Sequence, residues 1–449
     1  MANIPRALGR IKEDLAQLLS PDFIEQVCCE AGHTWRHRLL DPVTLIHPFI
    51  LQILHHNTAC SHLPRIAGRK FTASAYCQAR ARLPLKVIIT LVARIGLAFH
   101  EATRTTGLWH GLRPVLVDGS GFSMPDIPEL QAHFGQPGGQ KKGCGFPVAH
   151  MVAAFEAHSG LIRDVTAGPL RTHDMAQTQA IHPSLHAGDL LVGDRGFCSF
   201  AHLALLQSQG VEACLRVHHK QIVSFRRHRR SAGEVSRARR AGRPTSRWLA
   251  SLGTRDPLVE WVKPKERPAW MSAAEYDALP ASLQVRELRY QVRTPGFRTR
   301  EITRVTTLLD PVKYPAEELA ELYATRWRVE TCLRDLKITL GLDVLHCQSV
   351  DGVMKELWMF VLVYNLVRMV MLEAARRQEV DPRRISFIDA MRWLAHAPAD
   401  AELPALIVNP DRPNRIEPRV IKRRMKEFPL MKQPRDKLRQ ALFRKKPAA

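Results

Sequence analysis

Acidic residues are in short supply in this chain. It sets 43 Asp and Glu against 66 Lys and Arg, a formal charge of +23 at pH 7, so an acidic or neutral partner surface is a poor match and a polyanion a good one. Cysteine is thinly spread. The nine cysteines (28, 29, 60, 77, 144, 198, 214, 332 and 347) are odd in number and never spaced C-x-x-C, which argues against both a disulfide framework and a zinc centre. The twenty histidines contain no H-E-x-x-H pair, and no G-x-S-x-G nucleophile turn occurs. The opening MANIPRALGRIKEDLAQLLS lacks an apolar signal core, so the chain is expected to stay in a reducing cytoplasm. Long apolar runs are also missing. The longest, Leu357 to Leu372, is short for a membrane span and contains Asn365 and Arg368, which predicts a buried core helix and no membrane partner.

What remains is a globular composition, 45% hydrophobic and 24% charged, over 449 residues, enough for several domains of about 100 to 200 residues each. Residues 1–108 read as a separate helical, DNA-binding domain, with apolar helical runs broken by Pro and Gly. At Pro114 the texture changes. VLVDGS reads as a buried strand running into a loop at Asp118-Gly119, and FPVAHMVAAFEA and LIRDVTAGP as two strands joined at His158-Ser159-Gly160. Asp174 is a candidate N-cap for a helix closed by Gly188, LLVGDRGF is a strand ending at Asp194, Ser199 to Gly210 a helix, and VEACLRV another strand. The pattern then dissolves into a basic, irregular stretch from 218 to about 300. Eleven Lys or Arg face one acid, Glu234, between Arg216 and Arg247, a density that repels itself unless an anion lies alongside. Regular structure is expected to return with ITRVTTLLD, a strand, and one long helix from about Pro315 to Leu340.

Treated as an insertion before the last strand, the basic stretch leaves the succession of an α/β, RNase H-like mixed-sheet core. Its expected limits are 109–217 and 301–375, split by the insertion at 218–300, with a helical and basic tail at 376–449. The acids Asp118 and Asp194 fall at strand ends, and adjacent parallel strands would bring them together. Either aspartate alone is more readily a turn residue. Paired with a third acid, they would suit hard Mg²⁺ ions that clamp the attacking and leaving oxygens of an in-line phosphoryl displacement.

The third acid comes from the helix. At about 100° per residue, with Tyr323 at zero, Arg326 lies near 300°, Glu330 near 340° and Lys337 near 320°, one polar stripe beside the apolar stripe Leu322, Val329, Leu333, Leu336 and Leu340. One acid in line with two cations and a tyrosine, at the margin of a buried face, suits a metal flanked by phosphates. Gly119-Ser120-Gly121 beside Asp118 reads either as clearance for metal and DNA or as a plain turn.

Tyr323, Arg326, Glu330 and Lys337 reproduce the Y-x2-R-x3-E-x6-K signature of DDE transposases of bacterial insertion sequences, and the chain resembles the insertion sequence four family. VDGSGF around Asp118 and GDRGF around Asp194 resemble that family's two aspartate motifs, and PNRIEPRVIKRRMKEFP its C-terminal segment. The resemblance implies a nucleoid-associated enzyme of the bacterial cytoplasm with Asp118, Asp194 and Glu330 holding two Mg²⁺ ions, for which Mn²⁺ can substitute. It implies cut-and-paste transposition: water cleaves the DNA at each transposon end, and the freed 3′-hydroxyl attacks the opposite strand in a hairpin step, then the target. Tyr323, Arg326 and Lys337 would contact phosphates, and a β-rich insertion would help hold the end. The partners implied are the double-stranded terminal inverted repeats, the target DNA and a second copy of the chain in a homodimer. Arg195, Lys141, Lys142, Arg226, Arg227, Arg229 and Arg230 are further cationic candidates for DNA contact. A catalytically silent repressor and a simple RNase H-like nuclease are the alternatives; the intact acids weigh against the first and the full helix signature against the second.

Overall fold

The computed structural model describes residues 19–172, 174–218, 221, 223, 225, 243–291, 301–396, 402–410 and 431–444. Among the described residues five helices come first: α1 (Pro21–Glu30), α2 (Pro42–Leu54), α3 (Leu63–Ala67), α4 (Ala73–Arg82) and α5 (Leu85–Ala102). Three of them start where sequence chemistry demands, with Ser20, Asp41 and Thr72 side chains accepting hydrogen bonds from the first-turn amides of α1, α2 and α4. The apolar faces of these helices merge into one hydrophobic cluster with the long helix α12 (Val350–Arg377). Polar ties reinforce the union: Asn57 bonds to the Glu356 carboxylate, and Lys355 Nζ donates to the carbonyl of Ala81 at 2.9 Å.

Nine strands form one mixed sheet in the order β3-β2-β1-β4-β5-β9-β8-β7-β6. The first five, β1 (Arg113–Ser123), β2 (Val148–Glu156), β3 (Ile162–Pro169), β4 (Asp189–Gly193) and β5 (Glu212–Arg216), run 3-2-1-4-5, with β1, β4 and β5 parallel and β2 and β3 antiparallel. This is the RNase H-like core. Its connections carry α6 (Pro128–Phe134), α7 (Asp174–Ile181) and α8 (Phe200–Ser208). The β2–β3 hairpin turns at the anticipated place, where Gly160 takes φ +72°, a left-handed conformation suited to glycine.

The stretch from 245 to 291 is not irregular. It forms β6 (Thr245–Gly253), β7 (Asp256–Val262), α9 (Ala273–Ala278) and β8 (Ser282–Gln291), and β8 pairs with β9 (Glu301–Thr306), which closes against β5. Three of the charges in these strands, Asp256, Arg286 and Glu287, are inside. Arg286 is fully buried, donating through Nε to Asp256 at 3.1 Å and through Nη1 to the carbonyls of Leu308 and Tyr314 at 3.2 and 2.9 Å, and so ties the meander to the core.

The helix expected over 315–340 is broken into segments. It runs as α10 (Ala316–Ala324), a 3-10 turn at Thr325–Trp327, α11 (Arg328–Arg334) and a π-helical turn at Asp335–Thr339. Next comes α12, an apolar helix whose most apolar window is 89% buried, as its polar residues imply. Asn365 lies flat against the edge of β3, accepting from the Ile162 amide at 2.9 Å and donating to the Ile162 carbonyl at 2.8 Å. Arg368 pairs with Asp335 at 3.0 Å and donates to the Tyr364 hydroxyl at 2.8 Å. The chain ends with α13 (Phe387–His396) and α14 (Arg435–Arg444); PNRIEPRVIKRRMKEFP at 413–429 lies outside the described residues.

Candidate active site

Asp118 and Asp194 meet because of strand register. Parallel pairing of β1 with β4 ends at Val117 opposite Gly193, so the two aspartates follow side by side. Asp194 leaves β4 as foreseen. Asp118 does not end its strand: β1 continues to Ser123 because β2 keeps pairing with it, Asp118 opposite Ala153. The Asp118-Gly119 pair is thus a ladder position and not a turn. Its glycine is there for space, since a Cβ on Gly119 would stand 3.0 Å from both Asp174 Oδ1 and His150 Nε2.

Over these strand ends lies the helical run that carries the signature. Arg326, 9% exposed, places one guanidinium nitrogen 3.5 Å from Asp118 Oδ2 and the other 3.8 Å from Glu330 Oε1, one turn on. Glu330 is half-exposed. Lys337 sits in the π-helical turn and pairs with Asp343 at 3.1 Å. Tyr323 lies deeper than the margin expected for it: it is 4% exposed and, among the described residues, its hydroxyl is buried without a hydrogen-bond partner, under Arg326 and Arg304, whose guanidiniums lie 6.0 and 5.7 Å from its ring centre. Burial drives its phenol pKa well up. A sequence wheel of constant pitch misses this, because 3-10 and π turns rotate the face on either side of Arg326.

The electrostatics of the pocket call for a cation. Burial raises the Asp118 carboxyl above its usual range, the Gly119 amide and Arg326 oppose that, and Asp194 and Asp174 push it further up. Among the described residues, Asp194 Oδ1 is buried with no hydrogen bond and has a 3.8 Å ion contact with Arg216 of β5. Carboxylate oxygens crowded together and left under-satisfied fit a hard divalent ion. As the side chains stand, no three His, Cys, Asp or Glu among the described residues converge on a single point. Asp118 instead has Asp194 on one side and the Arg326–Glu330 pair on the other.

The other cationic candidates are scattered. Arg195 is exposed in the 3-10 turn directly after Asp194, and Lys141 and Lys142 are exposed on the β1–β2 connection. Arg226, Arg227, Arg229 and Arg230 lie outside the described residues. Asp174 is the first residue of α7, not the cap before it. It and His150 were not identified as site residues from sequence. The available signal was the glycines that flank the acids, Gly119 and Gly196, whose missing side chains leave room for the Asp174 carboxylate.

An RNase H-like sheet with two aspartates at adjacent parallel strands, and a glutamate on a helix laid over them, is an arrangement found in enzymes that cut nucleic-acid phosphodiesters. Residues 109–366 match the family model described as transposase DDE domain. The chain belongs to that family and is a DNA transposase of the insertion sequence four group, DNA-binding and dependent on divalent metal. It is 24% identical over 443 residues to the transposase InsG for insertion sequence element IS4 of Escherichia coli (strain K12), covering 92% of this chain and 93% of that one. The transposase for insertion sequence element IS231B of Bacillus thuringiensis subsp. berliner is 23% identical over 218 residues, 46% of this chain and 44% of its own. A cryo-EM structure of the piggyBac transposase synaptic complex with hairpin DNA superposes with a TM-score of 0.45 at 9% identity, covering 88% of this chain and 80% of that one.

Proposed function

We propose that this transposase cuts element ends and joins them to target DNA by in-line displacement at phosphorus, with Asp118, Asp194 and Glu330 holding two Mg²⁺ ions. What supports this reading is that Asp118 neighbours Asp194 by strand register and is contacted by Arg326, which also contacts Glu330, so that one carboxylate could serve two cations. When bound, the ions would activate the attacking oxygen and neutralise charge on the leaving one. In the first step water oxygen bonds to phosphorus as the bond to the 3′ oxygen breaks, freeing a 3′-hydroxyl. That hydroxyl then attacks a second phosphodiester, in the opposite strand or in the target, and the displaced oxygen leaves.

Arg326 is placed to exchange its carboxylate partners for a phosphate once cations occupy the acids. Lys337, and Arg195 exposed directly after Asp194, would hold the backbone of the end. Tyr323 would support Arg326 from below. The basic segment containing Arg226, Arg227, Arg229 and Arg230, with Lys141 and Lys142, would supply further phosphate contacts, and two copies of the chain would pair two ends. Asp194→Asn tests the reading. Cleavage of an end-containing duplex should fall by more than about a hundredfold while binding to that duplex is retained. Cleavage at the wild-type rate would remove Asp194 from the site.

A further inference from the structure

A fourth carboxylate enters the site from α7. Asp174 Oδ1 is 2.9 Å from Nε2 of His150 on β2. The same oxygen would lie 3.0 Å from a Cβ on Gly119, the residue after Asp118, while Oδ2 would lie 2.9 Å from a Cβ on Gly196, two residues after Asp194. The carboxylate therefore spans the two backbone segments that carry the strand-end acids. Neither glycine takes a positive φ, so both positions are small for clearance and not for backbone freedom.

His150 is held in turn. Its carbonyl accepts from Gln177 Nε2 of α7 at 3.1 Å, and, among the described residues, its Nδ1 is buried without a partner and Asp174 is the side chain that positions the ring. A staple between β2 and α7 would be cheapest with its carboxylate turned away from other acids, since like charges disfavour each other. This one faces them, an arrangement that a cation relieves. We infer that Asp174 belongs to the cation site and sets its affinity, with His150 as the residue that positions it. The inference rests on Asp118 and Asp194 being the cation-holding pair.

The test is Mn²⁺ affinity of the full-length, DNA-free protein, read from the paramagnetic resonance signal of free Mn²⁺. Asp174→Asn, which keeps the shape and an oxygen for His150, should loosen Mn²⁺ by about tenfold or more, and His150→Gln by several-fold. Gly196→Ala, which keeps every charge but crowds Oδ2, should also loosen it. In chelator, Asp174→Asn should bind end DNA more tightly than wild type, because a negative charge facing the phosphates has gone; a purely structural role would leave that binding unchanged or weaker. If Asp194→Asn loosens Mn²⁺ while folded Asp174→Asn and Gly196→Ala both stay within about twofold of wild type, the inference is overturned and the site reading stands. If Asp194→Asn also leaves Mn²⁺ affinity unchanged, the site reading itself fails.

Discussion

The guanidinium of Arg326 bridges Asp118 and Glu330, 3.5 Å from one and 3.8 Å from the other, and so occupies by charge the place a divalent cation would take. Arg326→Gln should therefore act in opposite directions on two measurements. Mn²⁺ should bind about fivefold more tightly, a gain of about 1 kcal/mol from removing a competing cation, whereas strand cleavage should drop by more than about a hundredfold because the phosphate loses its partner. Titration calorimetry and a gel cleavage assay read the two effects. Weaker Mn²⁺ binding would contradict the bridging role.

Lys337→Ala separates phosphate binding from packing. The lysine's one ion pair, with half-exposed Asp343, is worth at most about 1 kcal/mol of stability. End processing should suffer while the thermal midpoint barely moves, and the slope of log affinity against log salt should shrink by about 0.9, the share of a single neutralised phosphate. A large drop in stability with normal activity per folded molecule would make it a structural lysine.

Deleting residues 226–240 removes seven arginines and one glutamate. The variant should bind end DNA more weakly, with a salt slope shallower by several units, about 0.9 for each phosphate that is no longer neutralised. Fluorescence anisotropy across a salt series measures this. An unchanged slope would mean that the run faces solvent even with DNA bound.

Asn365→Leu probes the seam between α12 and the sheet. It would leave the amide and carbonyl of Ile162 buried and unpaired, at about 1–3 kcal/mol for each group. Urea unfolding should show a loss of about 2–4 kcal/mol, with cleavage per folded molecule unaltered. A loss below about 0.5 kcal/mol would show that β3 finds other partners.

Acid should weaken the fold through two stacked histidines. His182 and His202 lie 4.9 Å apart, ring to ring, and burial pushes their imidazoles down to about 4 and about 3. Between those values and the ordinary value near 6.5, the unfolded chain binds protons that the folded one does not, so stability is full above about pH 6.5 and falls as pH drops. By pH 5 each histidine should have cost about 2 kcal/mol. His182→Phe, which keeps the stack, should roughly halve that slope in urea melts taken from pH 7.5 to 5; a slope equal to wild type would remove His182 from the account.

Much of this was readable because it depended on local spacing. The strand ending at Asp194, the hairpin around Gly160, the buried character of α12 and the one-turn relation of Arg326 to Glu330 each follow from a few neighbouring residues. The strands at 245–291 were obscured for a physical reason. Their polar faces are buried on partners distant in sequence, as when Glu287 accepts from Trp261 Nε1 at 2.8 Å, and a charged residue with a distant partner looks the same in sequence as one in water. Tyr323 sits deeper than the margin expected for it because its exposure depends on 3-10 and π turns set by packing, while a uniform helix was assumed.

By itself, then, the sequence determined the basic charge, the RNase H-like succession, the three acids and the helix signature, all carried by residue type and short-range periodicity. Tertiary structure decided what those residues face. It carried β1 past Asp118, folded the basic stretch into the same sheet, sank Tyr323, set Arg326 between two carboxylates and turned Asp174 toward the other acids. Register and burial come from contacts between segments tens to hundreds of residues apart, and local pattern does not encode which pairing minimises exposed apolar surface and unpaired charge.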